Sequence, residues 1–224
     1  MLRGGVYVHG AELEARVVCR RNAPTVAFTP ALGTVEAGKP YTVTMTVGNT
    51  DNRACTASNF SVGATVPSGW TYAFAQSTFS LAPGASNPVA LTVTPPVTAA
   101  AGRYTPSAVA AHAGASVTTG SFSVDVTLPP LKATLSVPGT SYKRNALVPL
   151  TTKVMRGTLS AQASVLFSVT RPDGLVETRT VATDATGKAA WSYTARVRGM
   201  HSVSATATAG TETTPSNTVG FSVL

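Results

Sequence analysis

Polar and apolar positions alternate strictly over many short stretches of the chain. In Tyr41–Val47, residues Tyr41, Val43, Met45 and Val47 fall on one face, and Thr42, Thr44 and Thr46 on the other. The same period of two runs through Phe60, Val62 and Ala64, through Leu91 and Val93, and through Phe122, Val124 and Val126. Further on it returns at Val165, Phe167 and Val169, at Trp191 and Tyr193, at Val203, Ala205 and Ala207, and at Val219, Phe221 and Val223. Alternation of this kind marks strands with one buried face, because successive strand side chains point to opposite sides. Between the runs lie turn signals: Glu36–Pro40, Pro67-Ser-Gly69, Ala82-Pro-Gly84, Ala101-Gly102, Arg171–Gly174 and Thr183–Gly187. Glycine and proline supply the backbone angles such turns need. No segment sustains a helical period.

Consecutive prolines in Thr127–Leu131, TLPPL, lack the N–H that a central strand requires and favour a short extended linker. The chain therefore reads as residues 1–22, a remnant of something upstream plus a lead-in; 23–127, a first sandwich; and 128–224, a second. About seven short strands per half, with a turn every 8–12 residues or so, predict an all-β protein of two tandem Ig-like antiparallel β-sandwiches.

At 224 residues there is length for two such domains, and a 43% hydrophobic fraction supplies material for two cores. Only 12% of residues are charged, with a net charge of +8 and a pI near 9.9. The basic residues are scattered, Arg20-Arg21 and Lys143-Arg144 being the densest pairs. With no basic helix and no basic–aromatic interleaving, a solvated basic surface is the reading and nucleic acid is not an expected partner. An anionic wall polymer or polysaccharide is the looser electrostatic alternative. No apolar run is long enough to span a membrane.

The first residues, MLRGGVYVHGAELEARVVC, have no apolar core of signal-peptide type, whereas the composition reads as extracellular. Gly10–Val18 reads as the last strand of an upstream domain. The expectation is a C-terminal fragment of a longer secreted protein, its export signal lost upstream; a mis-assigned start or a broken contig would explain it.

In the first half an ordered set of features stands out: Asn49-x-Asp51-x-x-x-Cys55-x-x-x-Asn59-Phe60, Val66-Pro-Ser-Gly-Trp70, Leu81-Ala-Pro-Gly84, Leu91-Thr-Val-Thr-Pro-Pro96 and Ala101-Gly-x-Tyr104. This combination resembles the NPCBM-associated domain first described beside alpha-galactosidase catalytic modules. With Cys55 after Asn-x-Asp and a second cysteine in Cys19-Arg-Arg-Asn-Ala-Pro-Thr25, it resembles more narrowly the segment that follows the catalytic domain of gametolysin-type bacterial secreted metallopeptidases. The second half is similar to bacterial Ig-like or macroglobulin-like repeats through Ser141-Tyr142, Val169–Gly174 and Thr183–Trp191. The zinc motif His-Glu-x-x-His of the peptidase family is absent from the chain.

Candidate chemistry is sparse. His9, His112 and His201 are far apart and none forms a His–Glu pair at helical spacing, so no zinc or other metal site is expected. There is no Gly-x-Ser-x-Gly elbow and no phosphate loop, and no cofactor is expected. Asp51, Asp173 and Asp184 sit in turns, where they are expected to bond their own backbone rather than share a calcium ion, since no loop gathers more than one acid. Trp70 and Tyr72, two residues apart, are candidates for a flat sugar-binding platform, against core closure at one end of a sandwich. Asn59-Phe60-Ser61 matches a glycosylation acceptor and is uninformative. Cys19 and Cys55 have one way to pair. A disulfide closing a loop of about 35 residues would stabilise by about 3–4 kcal/mol and argue for export; two structural thiols or one reactive thiol are the alternatives.

These readings give a chain with no activity of its own. It is expected to be the accessory or spacer region of a secreted bacterial hydrolase, of metallopeptidase type by resemblance. Its partners are then an upstream catalytic domain and a polysaccharide or cell-wall polymer. The alternatives are a carbohydrate-binding module of a glycosidase such as an alpha-galactosidase, and the stalk of a cell-surface adhesin.

Overall fold

The structure is a computed structural model that describes residues 18–224. The strand proposed for Gly10–Val18 falls, apart from Val18, outside the described residues, and so does His9. Every regular element described is a β-strand, and the chain divides into two compact units between Val126 and Thr127.

Unit 1 contains β1 (Thr25–Thr29), β2 (Leu32–Glu36), β3 (Tyr41–Gly48), β4 (Ser58–Thr65), β5 (Thr71–Phe74), β6 (Thr78–Leu81), β7 (Ser86–Thr94), β8 (Gly102–Tyr104), β9 (Ser107–His112), β10 (Thr118–Ser121) and β11 (Ser123–Thr127). They form sheets in the orders β1-β3-β7-β5, β10-β9-β4-β6 and β2-β11-β8. Register follows the alternation: Val43 lies opposite Leu91 and Tyr41 opposite Val93 across β3 and β7. The apolar faces of the sheets meet in one core, where Val43, Met45, Val47, Leu91 and Val93 join Phe60, Ala108, Ala110, Phe122 and Val124. Burying a side chain of this size stabilises by about 1.5–3 kcal/mol. The Thr-rich opposite face of β3 turns outward, and Thr42 and Thr92 share a hydroxyl hydrogen bond of 2.8 Å.

Unit 2 contains β12 (Leu131–Ser136), β13 (Ser141–Tyr142), β14 (Leu147–Arg156), β15 (Leu159–Ser160), β16 (Ser164–Thr170), β17 (Val176–Ala182), β18 (Lys188–Thr194), β19 (Gly199–Ala209), β20 (Glu212–Pro215) and β21 (Val219–Val223). In one sheet β14 pairs with β12, β15 and β18; the other runs β13-β21-β19-β16-β17, with β20 also on β19. Every pairing with a defined register here is antiparallel except β13 with β21, which is parallel. Its core gathers Leu135, Leu150, Val165, Phe167, Val203, Tyr193 and Phe221. Leu131, the last residue of the proline-rich linker, already lies in β12 and is buried.

The described strands number eleven and ten, more than the expected seven per half. In each unit the leading run breaks and changes sheets. At Pro30-Ala31 the chain leaves the β3 sheet for the β11 sheet, and at Val137–Thr140 it leaves the β14 sheet for the β21 sheet. Proline has no N–H to continue a ladder, so the break falls at Pro30 and Pro138. Between β17 and β18 the predicted turn forms as expected. Asp184 Oδ1 accepts from the N–H groups of Thr186 (2.8 Å) and Lys188 (3.0 Å), and Gly187 closes the turn with φ +78°. A Cβ at Gly187 would lie 2.4 Å from the Val154 carbonyl oxygen, so only glycine fits.

Candidate functional site

The polar loop after β3, residues 49–57, meets the lead-in segment before β1 and fixes it residue by residue. The loop is rigid first. Asn49 is buried; its side-chain amide donates to the Leu81 carbonyl (3.0 Å), and its side-chain oxygen accepts the Asp51 N–H (2.9 Å). Its backbone bonds Ala85 and Gly84 of the neighbouring turn. A buried amide with all these partners costs little to desolvate and locks the loop's direction.

Onto this loop the lead-in is tied. Cys19 and Cys55 form a disulfide with Cα atoms 4.5 Å apart. The backbones of Arg20 and Asn52 pair, with the Asn52 side chain accepting the Arg20 N–H (3.1 Å) and donating to the Val18 carbonyl (2.8 Å). Asn22 donates its side-chain amide to Thr50 O (2.8 Å), Thr50 donates its hydroxyl to Ala23 O (2.6 Å), and Thr118 donates to Pro24 O (2.6 Å).

At the centre is an ion pair between a half-buried arginine and a buried aspartate. The Arg21 guanidinium lies 2.7 Å from Asp51 Oδ2 and also donates to Thr56 O and the Ser58 hydroxyl. Asp51, whose side chain has no solvent exposure, accepts in addition from the Asn22 N–H (2.8 Å) and the Ser58 hydroxyl (3.0 Å). Burial pushes its carboxyl pKa upward. The bonds from Arg21, Asn22 and Ser58, with the charge of His112 acting in the same direction, outweigh burial and hold the pKa below the ordinary 3.8. Asp51 therefore does not cap its own turn, as the sequence suggested: its carboxylate is taken up by a segment 29 and 30 positions earlier in the chain. Asp173 and Asp184 do bond their own turns, through the N–H groups of Leu175 and of Thr186 and Lys188.

His112 of β9 closes the cluster from the facing sheet. Its Nε2 lies 3.0 Å from the Asn22 carbonyl, which only accepts, so the proton sits on Nε2; the ring packs on Phe60 at 4.6 Å. Ser58, Asp51 and His112 do not form a nucleophile–base pair, because the serine donates to the carboxylate and Nε2 to a carbonyl. The cluster fastens the lead-in to the loop. His201 is buried in unit 2, its ring stacked on Phe221 at 5.0 Å. Among the described residues no three His, Cys, Asp or Glu side chains gather as metal ligands would.

The two platform candidates separate. Trp70 is 8% exposed and packs on Tyr104 at 5.2 Å in the core of unit 1. Tyr72 is 47% exposed on the edge strand β5, with Phe74 set edge-on at 6.1 Å. They share no platform because Trp70 ends the Pro67–Trp70 turn, closed by its N–H to the Pro67 carbonyl (3.1 Å), and lies outside the strand whose alternation places Tyr72. In the sequence Asn49, Arg21 and Asn22 stand only as motif positions beside the two cysteines, His112 only as a histidine without a ligating partner, and Ser58 not at all; none carries a local sign of the shared cluster.

The family described as the NPCBM-associated, NEW3 domain of alpha-galactosidase matches residues 35–113, within unit 1. The match spans the Asn49–Phe60 loop, the Trp70 turn and β9. No curated protein sequence matches the chain. Among solved structures, the chain is similar to the D0-D1 domain of intimin at 18% identity and TM-score 0.32, covering 88% of this chain and 96% of that one. It is similar to the Yersinia pseudotuberculosis adhesin InvE at 16% identity and TM-score 0.36, covering 88% and 58%. A putative membrane anchored protein from Corynebacterium diphtheriae follows at 14% identity and TM-score 0.38, covering 90% and 53%. Superpositions this loose carry no functional inference.

Proposed function

We propose that the chain is the non-catalytic accessory region of a secreted bacterial hydrolase, built of two tandem Ig-like sandwiches. Its first unit, of NPCBM-associated type, fixes residues 18–24 as the attachment point for an upstream catalytic domain. The observation that carries this reading is the fastening of residues 18–24, where each residue is tied to the sandwich by a disulfide, an ion pair or hydrogen bonds. A free N-terminal lead-in needs no such series, whereas a rigid mount for an upstream domain does. The disulfide supports an oxidising, extracellular setting. By the resemblance of the Cys19–Cys55 arrangement, the parent enzyme is a gametolysin-type metallopeptidase, and the accessory region positions the catalytic domain and contacts wall or matrix polymer.

The coding DNA upstream of Met1 tests this. An in-frame His-Glu-x-x-His region is the expected finding, and an in-frame stop with a ribosome site would overturn the mount. A second reading, a carbohydrate-binding module of a glycosidase, is favoured by exposed Tyr72 and by the family that matches unit 1. Retention on insoluble neutral polysaccharide that is lost in Tyr72→Ala supports it, and an upstream glycosidase barrel would establish it over the first.

A further inference from the structure

Charge is unevenly shared along the chain. Residues 127–224 hold ten of the 17 lysines and arginines but four of the nine acids, so unit 2 carries most of the net charge. Two of those ten are already paired, Arg156 with Glu212, and Arg171 with Asp173 and Glu177. Of the rest, four come together where two loops are built onto one another. The turn after β13 carries Lys143 and Arg144, and the loop after β18 carries Arg196 and Arg198. The Asn145 N–H donates to the Ala195 carbonyl (2.7 Å), the Ala195 N–H to the Ala146 carbonyl (3.0 Å), and Arg144 Nε to the Arg196 carbonyl (3.0 Å). Asn145 takes φ +66°, a left-handed turn position that asparagine tolerates better than most residues. All four cationic side chains are exposed. The Arg171–Gly174 turn approaches the same place, Pro172 lying beside Gly199, but its Asp173 is taken by Arg171.

This cationic pole stands at the end of unit 2 opposite the linker. β14 runs from Leu147, beside the pole, to Arg156, which lies opposite Leu131 where the linker ends. We propose that the pole is a docking surface for an acidic polysaccharide, one whose repeating sugars carry carboxylates. Guanidinium forks match carboxylates in geometry as well as charge, and four cations on a backbone-braced surface suit a ligand whose charge repeats. The pole offers no exposed aromatic ring for stacking bases: Tyr142 is turned edge-on to Phe221, and Tyr193 is buried. Exposed apolar side chains also stand at this end, Leu147, Met200 and Leu224, the Leu224 N–H donating to the Tyr142 carbonyl (2.9 Å), so the vesicle arm of the test below separates lipid from polymer. The proposal rests on the reading of the chain as a polymer-contacting accessory region and gives that reading a site and a sign of charge.

The test is affinity electrophoresis of the whole chain in gels containing polygalacturonate, with neutral dextran as the parallel arm. Lys143→Gln/Arg144→Gln/Arg196→Gln/Arg198→Gln is expected to weaken polygalacturonate retardation about tenfold or more. Lys39→Gln/Arg53→Gln/Lys132→Gln/Lys188→Gln, which removes as much charge elsewhere, is expected to change it little. The milder Lys143→Gln/Arg198→Gln leaves the Arg144–Arg196 brace intact and is expected to lose part of the effect, so a folding defect in the fourfold variant does not decide the outcome. Retardation of the parent chain should vanish in about 0.5 M salt. Equal loss in both fourfold variants, or dextran retarding the chain as strongly, overturns the pole while leaving polymer contact standing. No retardation by either polymer overturns both. Tighter, pole-dependent binding to single-stranded DNA or to phosphatidylglycerol vesicles overturns it in favour of nucleic acid or membrane.

Discussion

The guanidinium of Arg21 sits 2.7 Å from the carboxylate of Asp51, which is closed off from solvent and lies 30 positions further along the chain. One residue belongs to the lead-in and the other to a loop between strands, so the pair joins the start of unit 1 to its interior. Removing one partner of a buried pair leaves the other charge without compensation, and that loss exceeds the net worth of the pair itself. Arg21→Met and Asp51→Asn are each expected to cost about 3 kcal/mol in urea unfolding, and the double variant clearly less than the two together. Additive losses would show that the pair is not coupled.

The depressed pKa of Asp51 sets a direction for acid stability. A carboxylate whose folded pKa lies below its unfolded value contributes fully above the ordinary 3.8 and loses that contribution as pH falls through the folded pKa. Unfolding free energy of unit 1 is therefore expected to fall below about pH 4. Asp51→Asn should flatten that part of the profile while lowering stability at neutral pH. An unchanged acid limb in the variant would remove Asp51 from the account.

Reduction of Cys19–Cys55, whose partners are 36 positions apart, frees the unfolded chain from a closed loop. Cys19→Ser/Cys55→Ser is expected to lose about 3 kcal/mol on the chain-entropy account. Hydrogen exchange at Arg20 and Asn52, whose backbones pair beside the bridge, should speed up more than at Leu91 in the core. Thiol titration of the denatured, unreduced protein should find no free thiol.

Trp70 and Tyr72 are expected to answer differently to truncation. Trp70→Ala empties a core position beside Tyr104 and should cost about 3–5 kcal/mol, whereas Tyr72→Ala should stay within about 1 kcal/mol. Thermal or urea unfolding separates the two. Any glycan retention that Trp70→Ala abolishes must be read beside its stability, while a loss in Tyr72→Ala reports on contact.

Much of the strand content was legible along the chain. Met45 and Val47, Phe167 and Val169, Val203 and Ala205 are core residues, as their alternation implies, because a strand's two faces are set by backbone geometry alone. The turns at Asp173 and Asp184 were legible for a similar reason, since their hydrogen bonds close within four residues. The Trp70–Tyr72 pair was not, because Trp70 belongs to a turn and alternation does not govern its direction.

The sequence by itself thus determined that the chain is all-β, which strand faces are apolar, and where most turns fall: all of these depend on near neighbours. Only the tertiary structure decided what the polar loop at Asn49–Cys55 does. Asp51 looks like any turn aspartate until folding brings Arg21, Ser58 and His112 around it from three other segments. The same holds for the cationic pole, where Lys143 and Arg144 gain Arg196 and Arg198 only because the loops after β13 and β18 bond to each other. Charges far apart in sequence acquire a partner or a common surface through the long-range pairing of sheets, and local pattern carries no record of that pairing.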